Sequence, residues 1–469
     1  MEKRARFPSS IPYIIGNEAA ERFSFYGMKA ILTVFLVTQF YNPDNNPALS
    51  QAANAHANDK THFFNTMVYL LPILGGLIAD WYWGKYKTIL YLSLVYCAGN
   101  ACLAIFHTDI NLFSFGLLLI AVGSGGIKPC VSANVGDQFD DSNKELMSKA
   151  FSLFYFSINF GSFFSTLLIP LVLKYYGPGW AFGIPGILMF IATIIFIAGN
   201  KKYVKVPASG FKKENFVAIN FYMLKNLFNK KPGESLYQIA ANKYSAASLV
   251  GIKSVWRILA VFAFVPCFWM LNDQNSSEWV LQAAQMDLHF MGVTCLASQV
   301  QAANPILVLL FIPLFNYFIY PTIEKAGINF NPYRKIGTGF ILGVISFIVI
   351  WWIQTQLDAG LKPGIAWQLL AYIIITAGEV LVYQTGLEYA YTQAPASMKS
   401  TIMSFWLLTI AIGNYLVSLI NTNIASGGLF AKLEGANYYL FFIILMGVVT
   451  IIYFIISTRF KENEVIIST

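Results

Sequence analysis

The sequence predicts an all-α membrane protein of twelve transmembrane helices in two six-helix bundles, and three observations carry that prediction. Hydrophobic residues make up 57% of the 469 positions and aromatics 16%, while charged residues are only 12%. Such a composition excludes an ordinary soluble domain. Twelve apolar runs approach the roughly 20 residues a helix needs to cross a bilayer. Basic residues also alternate between connections as the positive-inside rule requires.

The runs lie near 11–40, 60–79, 87–107, 112–136, 148–173 and 180–199, then near 255–272, 302–322, 335–356, 366–392, 399–424 and 437–457. Gly or Pro interrupts several, as at Gly75–Gly76, Gly123 to Pro129, Pro185 and Pro266. Membrane helices tolerate such breaks where neighbours re-satisfy the backbone. No small-residue cleavage site follows the first run, and charges lie within it, so it is expected to be a retained helix and not a signal peptide.

With both termini cytoplasmic, the inner segments take Lys3, Arg4, Arg6, Lys85, Lys87, Lys144, Lys149, Lys325, Arg334, Lys335, Lys399, Arg459 and Lys461. The outer loops take only Lys60, Lys174, Lys362 and Lys432. Residues 1–200 form the expected N-terminal bundle, 201–253 a basic cytoplasmic linker and 254–469 the C-terminal bundle. Within the linker, Asn215–Phe228 is apolar on one side and too short to span, which predicts a helix on the inner surface. Two bundles joined this way are the plan of a rocker-type transporter with its site between the halves.

Four basic residues remain inside spans: Arg22, Lys29, Lys128 and Arg257. A charge at the bilayer centre costs roughly 3 kcal/mol or more, so such residues face a bundle interior or a wet cavity. Spacings of three, four and seven place Glu18, Glu21, Arg22 and Lys29 on one stripe of the first helix, with Tyr26 between them. Acid and base on one inward stripe predict a polar pathway through the membrane.

Other classes fit less well. The five cysteines (Cys97, Cys102, Cys130, Cys267 and Cys295) have no metal-ligand spacing and read as packing residues. His56, His62, His107 and His289 show no paired spacing, so no catalytic set, metal site or cofactor is expected. A receptor or scaffold has no need of acid and base along opposing bundles. The net charge of +8 follows the cytoplasmic segments and does not indicate nucleic acid.

Several motifs sharpen the reading. Gly76-Leu-Ile-Ala-Asp80-Trp-Tyr-Trp-Gly84-Lys85 resembles the helix 2–3 loop of the major facilitator superfamily, where an Asp and basic residues latch neighbouring helix ends. Glu18-Ala-Ala-Glu21-Arg22-Phe, Gly123 to Pro129 with Asp137-Gln138-Phe139, Phe154 to Ser162, and Gly378-Glu379 through Pro395 resemble, in order, helices 1, 4, 5 and 10 of the proton-dependent oligopeptide transporter (POT/PTR) family. His62 before Met67 to Pro72, Phe268-Trp269 through Asp273-Gln274, and Trp406 before Gly413-Asn414 resemble the mammalian members. The resemblance runs from about residue 11 to 457.

Three departures stand out. Phe25 replaces the first tyrosine of a common Tyr-Tyr-Gly pair, and Lys29 stands where arginine is usual. Asn316 stands where the mammalian proteins pair an aspartate with a seventh-helix arginine, here Arg257, which puts that gating pair in doubt. Only about Gln356 to Gly364 connects helices 9 and 10, where mammalian members insert a large domain.

The resemblance implies a major facilitator fold and a proton-coupled symporter importing di- and tripeptides by alternating access. Its alternative is a proton-coupled carrier of another small solute, such as nitrate or a peptide-like anion. It implies proton coupling through Glu18, Glu21, His62, Asp273 and Glu379. Arg22, Lys29 and Lys128 would hold the peptide C-terminus, and Asn159, Asn304 and Glu379 its N-terminus. Tyr26, Tyr69, Tyr155, Trp269, Gln274, Tyr372 and Trp406 would line the side-chain pocket, being apolar in body with a polar tip. The expected partners are peptides, protons and the bilayer of the plasma (inner) membrane, with the monomer as the working unit.

Overall fold

The computed structural model describes residues 7–140, 143–208, 210, 214–228, 235–393 and 399–458. Lys3, Arg4, Arg6, Lys212, Lys213, Lys230, Lys231, Pro395, Arg459 and Lys461 lie outside the described residues. The first crossing is α1 (Ile11–Leu36), prolonged by a π turn, Val37–Tyr41. Then come α2 (Ser50–Ile78) with a π turn at Ala79–Trp83, α3 (Gly84–Ile105), α4 (Ile110–Gly136), α5 (Met147–Tyr176) and α6 (Pro178–Ala198). Local chemistry explains several starts. Asp109 caps α4 by accepting from the Asn111 and Leu112 amides, and Pro178 opens α6, where its missing N–H costs nothing.

The chain stays helical from Pro47 to Ile105, 59 residues. That is roughly 90 Å at 1.5 Å per residue, too long for one crossing. Gly84, at φ +71°, divides it into two spans.

The linker holds α7 (Phe216–Lys225), capped by Asn215, and a short α8 (Leu236–Ala241). Phe216, Ile219 and Met223 pack into the same core as the later helices, while Val217, Phe221 and Leu224 stay exposed. The seventh crossing differs from its expectation. It starts at Ala246, behind the Ser245 cap, and bends by 42° between α9 (Ala246–Phe262) and the segment Val265–Ala283. Pro266 explains the bend, because it lacks the N–H that would bond back to residue 262. That segment comprises α10 (Val265–Asn272), a 3-10 turn at Asp273–Ser276 and α11 (Glu278–Ala283).

A two-stranded hairpin, β1 (His289–Phe290) with β2 (Val293–Thr294), precedes the eighth crossing. That crossing runs through a 3-10 turn (Ala297–Ala302), α12 (Ala303–Leu314), a π turn (Phe315–Ile319) and α13 (Tyr320–Lys325). Four long helices complete the chain: α14 (Pro332–Asp358), α15 (Ala366–Gln393), α16 (Lys399–Ala425) and α17 (Ala436–Ser457). With the Gly84 division and the bent pair each counted, the described residues make twelve crossings, in agreement with the sequence.

Two large hydrophobic cores form, one from α1–α6 with Tyr203 and one from α7 onward with Ala55 of α2. The outside is apolar as well. Ile444, Val448, Ile451 and Ile455 form an exposed stripe along α17, as expected of a surface facing lipid. We call the face where α1 begins proximal and the opposite face distal.

Hydrogen bonds between the first six helices and the last six cluster at the distal face. Gln301 on the eighth crossing donates to the Ala30 carbonyl at 3.0 Å, and Gln299 to that of Leu167 at 2.8 Å. Gln51 donates to the Ala431 carbonyl at 3.2 Å, and Ser418 to Asp59. Toward the proximal face, Tyr155 and Tyr383 are 38% and 39% exposed although both sit within long helices. The central opening is therefore sealed distally and reached from the proximal side.

Candidate functional site

The opening is built first from α1. Arg22 Nε lies 2.8 Å from Glu18 Oε1 and 2.6 Å from Glu21 Oε2, and all three residues are buried. Nε is not aligned as a hydrogen-bond donor to either oxygen, so charge attraction carries the contact. One guanidinium cannot neutralise two carboxylates. A proton or a second cation must balance the set, and Lys128 on α4 is within electrostatic reach of both acids. Helix α5 presses on this point: a Cβ at Gly161 would sit 2.6 Å from the Ala19 carbonyl oxygen, so only glycine allows the approach.

Lys128 takes its nearest described contacts from rings. Its Nζ lies 4.4 Å from the Phe25 centroid and 4.6 Å from that of Tyr69. Such contacts stabilise a desolvated ammonium by about 2 kcal/mol, yet leave its hydrogen-bonding capacity open. Phe25, the residue that departs from the tyrosine pattern, therefore contributes a ring face and no hydroxyl. Tyr26 lies against Arg22. Lys29, one turn further, is buried and within electrostatic reach of Asp273 and Glu379 of the other half as well as of Lys128.

Opposite, Glu379 on α15 accepts from Asn304 Nδ2 at 2.7 Å, and the same amide reaches Thr376 at 3.1 Å. Asn159 does not join them by hydrogen bond. Its Nδ2 donates at 3.0 Å to the Tyr155 carbonyl on its own helix, α5. Tyr155 in turn lies near Glu379 and Tyr383. Trp269, Tyr383 and Trp406 pack edge to face, with centroids 5.9 to 6.3 Å apart.

Above these, the distal seal continues inward. His62 Nδ1 is 2.8 Å from Asn414 Oδ1 and Nε2 is 2.8 Å from Ser277 Oγ. Asn414 Nδ2 donates to Asp273. Asn65 adds a second donor to Asn414 Oδ1 at 3.2 Å.

Not every expected residue faces the opening. Tyr372 is fully buried, donates to the Asn275 carbonyl at 2.5 Å and packs on Trp279, inside the second core. Gln274 is fully buried and donates to the Met270 carbonyl at 2.7 Å. In this conformation both pack internally and do not line the opening. Trp269 and Trp406 are also nearly closed off, at 3% and 1% exposure, with unpartnered indole N–H groups. Arg257 and Asn316 are both exposed.

Tyr383, Ser277, Asn414 and Asp59 belong to this arrangement and were missed as site residues by sequence reasoning. Asn414 had a signal, standing eight residues beyond Trp406 in the same motif. The helix 2–3 loop does form a latch: Lys85 pairs with Asp137 at 2.6 Å, and the Asp80 carbonyl accepts from the Gly210 amide at 3.1 Å.

A model described as the POT family matches residues 86–432. Human "Solute carrier family 15 member 2" is 37% identical over 408 residues, covering 82% of this chain and 54% of that protein. "Peptide transporter family 1" of Drosophila melanogaster is 38% identical over 361 residues, covering 73% and 47%. The chain thus spans about half the length of the curated relatives it matches. A crystal structure of an "auto inhibited POT family peptide transporter" superposes with a TM-score of 0.90 at 38% identity, covering 98% of this chain and 99% of that one.

Proposed function

The chain belongs to the POT family, and on that premise we propose that it is a proton-coupled symporter importing di- and tripeptides by alternating access. It is a multi-pass membrane protein with the twelve-helix major facilitator fold of two six-helix bundles. The bundles are residues 1–200 and 254–469, joined by the basic linker 201–253. The protein is a carrier and not an enzyme, works as a monomer, and sits in the plasma membrane with both termini cytoplasmic. Support for that orientation comes from Lys85, Lys87, Arg334 and Lys335 at the proximal ends of α3 and α14. The sealed distal face is then extracellular, and the conformation faces inward.

One observation carries the reading: cations able to take a carboxylate and a carboxylate able to take an ammonium belong to different halves of one opening. Arg22 and Lys128 lie on α1 and α4, and Glu379 with Asn304 lies on α15 and α12. Every peptide has a carboxylate and an ammonium, whatever its side chains. Arg22 offers a fork suited to the carboxylate, and Lys128 an ammonium that forms no salt bridge among the described residues. Glu379 receives the ammonium, with Asn304 as its neighbour. Tyr26, Tyr69, Tyr155 and Tyr383 offer adaptable walls.

Coupling follows from the excess of acid on α1. Arg22 cannot serve a peptide carboxylate and both glutamates at once. Protonating Glu18 or Glu21 releases it toward substrate, and losing that proton on the inner side restores the pair and expels the peptide. His62 and Asp273 complete the coupling set at the outer gate. Uptake of labelled dialanine into proteoliposomes, with competing dialanine, trialanine, alanine and nitrate, tests the substrate assignment. Competition by the two peptides alone supports it. Equal competition by alanine, or by nitrate, overturns it.

A further inference from the structure

A polar cavity of ≈ 720 Å³ opens on the distal face, away from the central opening. Its floor holds Asn58, Glu278, Gln282 and Tyr439, and its rim the exposed Asp358 and Glu434. Three carboxylates and several side-chain amides line it, with no lysine, arginine or histidine among the lining residues. Asn58 Nδ2 donates to Glu278, which has no salt-bridge partner among the described residues, and among them Asn58 Oδ1 is likewise buried without a hydrogen-bond partner, on a residue only 1% exposed. The Tyr439 hydroxyl, on a residue equally buried, is also unpartnered. Leaving such groups desolvated and unpaired is costly, and the surplus is of acceptors.

We propose that this cavity binds a small organic dication bearing primary ammonium groups. A metal ion fits less well, because metal sites draw their oxygens to about 2.0–2.6 Å around one point. Among the described residues, no three acidic, histidine or cysteine side chains converge in that way. The volume instead falls within the roughly 300–1,000 Å³ typical of small-molecule sites. One ammonium meets Glu278 on the floor, beside Asn58 and Tyr439, and the other reaches the rim near Glu434. Asp358 contributes charge more than hydrogen bonds, since it already accepts from Gln354 Nε2 and the Ala436 amide. The walls come from α2 on one side and from α11, α14 and α17 on the other, so an occupant bridges the two halves and holds the distal face closed. This site is independent of the central opening and of the transport assignment.

Titration calorimetry of 1,4-diaminobutane into the full chain, in nanodiscs of neutral lipid, tests the proposal. The expected result is saturable binding that weakens about tenfold or more in Glu278→Gln, as loss of a charge-assisted contact requires. Glu379→Gln, a change in the central opening, should leave that binding intact. Asp358→Asn provides a second variant on the rim, expected to weaken binding should Glu278→Gln fail to fold. Absence of saturable binding to the wild-type chain overturns the proposal, as does equal affinity in folded Glu278→Gln. Loss of binding in Glu379→Gln, or complete displacement by equimolar magnesium, overturns it too.

Discussion

Asn414 joins His62 to Asp273 with a fixed polarity. Its Nδ2 donates to the Asp273 carboxylate, which turns Oδ1 toward His62 Nδ1 at 2.8 Å. Because Oδ1 only accepts, Nδ1 must carry a proton, and in the neutral ring Nε2 then accepts from Ser277 Oγ at 2.8 Å. Three helices from two halves are thereby locked by one imidazole.

His62→Leu should break that lock. It leaves Asn414 Oδ1 with Asn65 alone and Ser277 Oγ with only a 3.5 Å contact to the Gln274 carbonyl, and an unsatisfied buried polar group costs about 1–3 kcal/mol. The distal-closed population should fall about tenfold or more relative to the open one. Spin-label distances across the distal ends of α2 and α16 check this, with an unchanged distribution speaking against the lock.

The two ends of the ligand should separate by mutation. Glu379→Gln should impair peptides with a free N-terminus far more than N-acetylated analogues. Lys128→Ala should remove discrimination between a free and an amidated C-terminus. Charge-assisted contacts of about 1.5–3 kcal/mol predict tenfold or larger effects, read as changes in Kd. Equal losses for blocked and free peptides would assign both residues to folding or gating.

Glu21→Gln mimics a permanently protonated acid beside Arg22. Proton-driven accumulation should disappear while peptide counterflow persists, because exchange needs no net proton movement. Full accumulation in Glu18→Gln/Glu21→Gln, at matched insertion into vesicles, would move the coupling to His62 or Asp273.

On the linker, the Ser248 and then the Ser245 hydroxyl hold the exposed Glu214 carboxyl below its usual range. A depressed acid contributes order above its unfolded pKa and loses it as pH falls through the lower folded value. Exchange protection at the start of α9 should therefore hold above about pH 4 and fall below it. Glu214→Ala should remove that pH dependence in hydrogen-exchange measurements.

Much of the fold was legible because bilayer thickness, and not detailed packing, sets helix length and count. The number of crossings followed from apolar runs, and Pro266 marked the break in the seventh. Element ends were less legible. Helix α2 begins at Ser50, ahead of the run near 60–79, because its polar first turns face other protein and the distal cavity. The α1 charge set could be read from spacing, since one helix carries it. The distal seal could not, because Asn58 with Glu278 and His62 with Asn414 are partners 220 and 352 positions apart. Tyr372 and Tyr383 show the same limit. Both are aromatics of α15, and only packing against Trp279 or Trp406 tells which one faces inward.

The central claim is proton-driven peptide accumulation, and concentrative dialanine uptake by proteoliposomes tests it most directly. Inward movement of one charge through 100 mV contributes about 2.3 kcal/mol, enough for substantial accumulation. With an acidic exterior and a negative interior, the peptide should rise above its external concentration, and a protonophore should abolish that rise. Accumulation that survives the protonophore would contradict proton coupling.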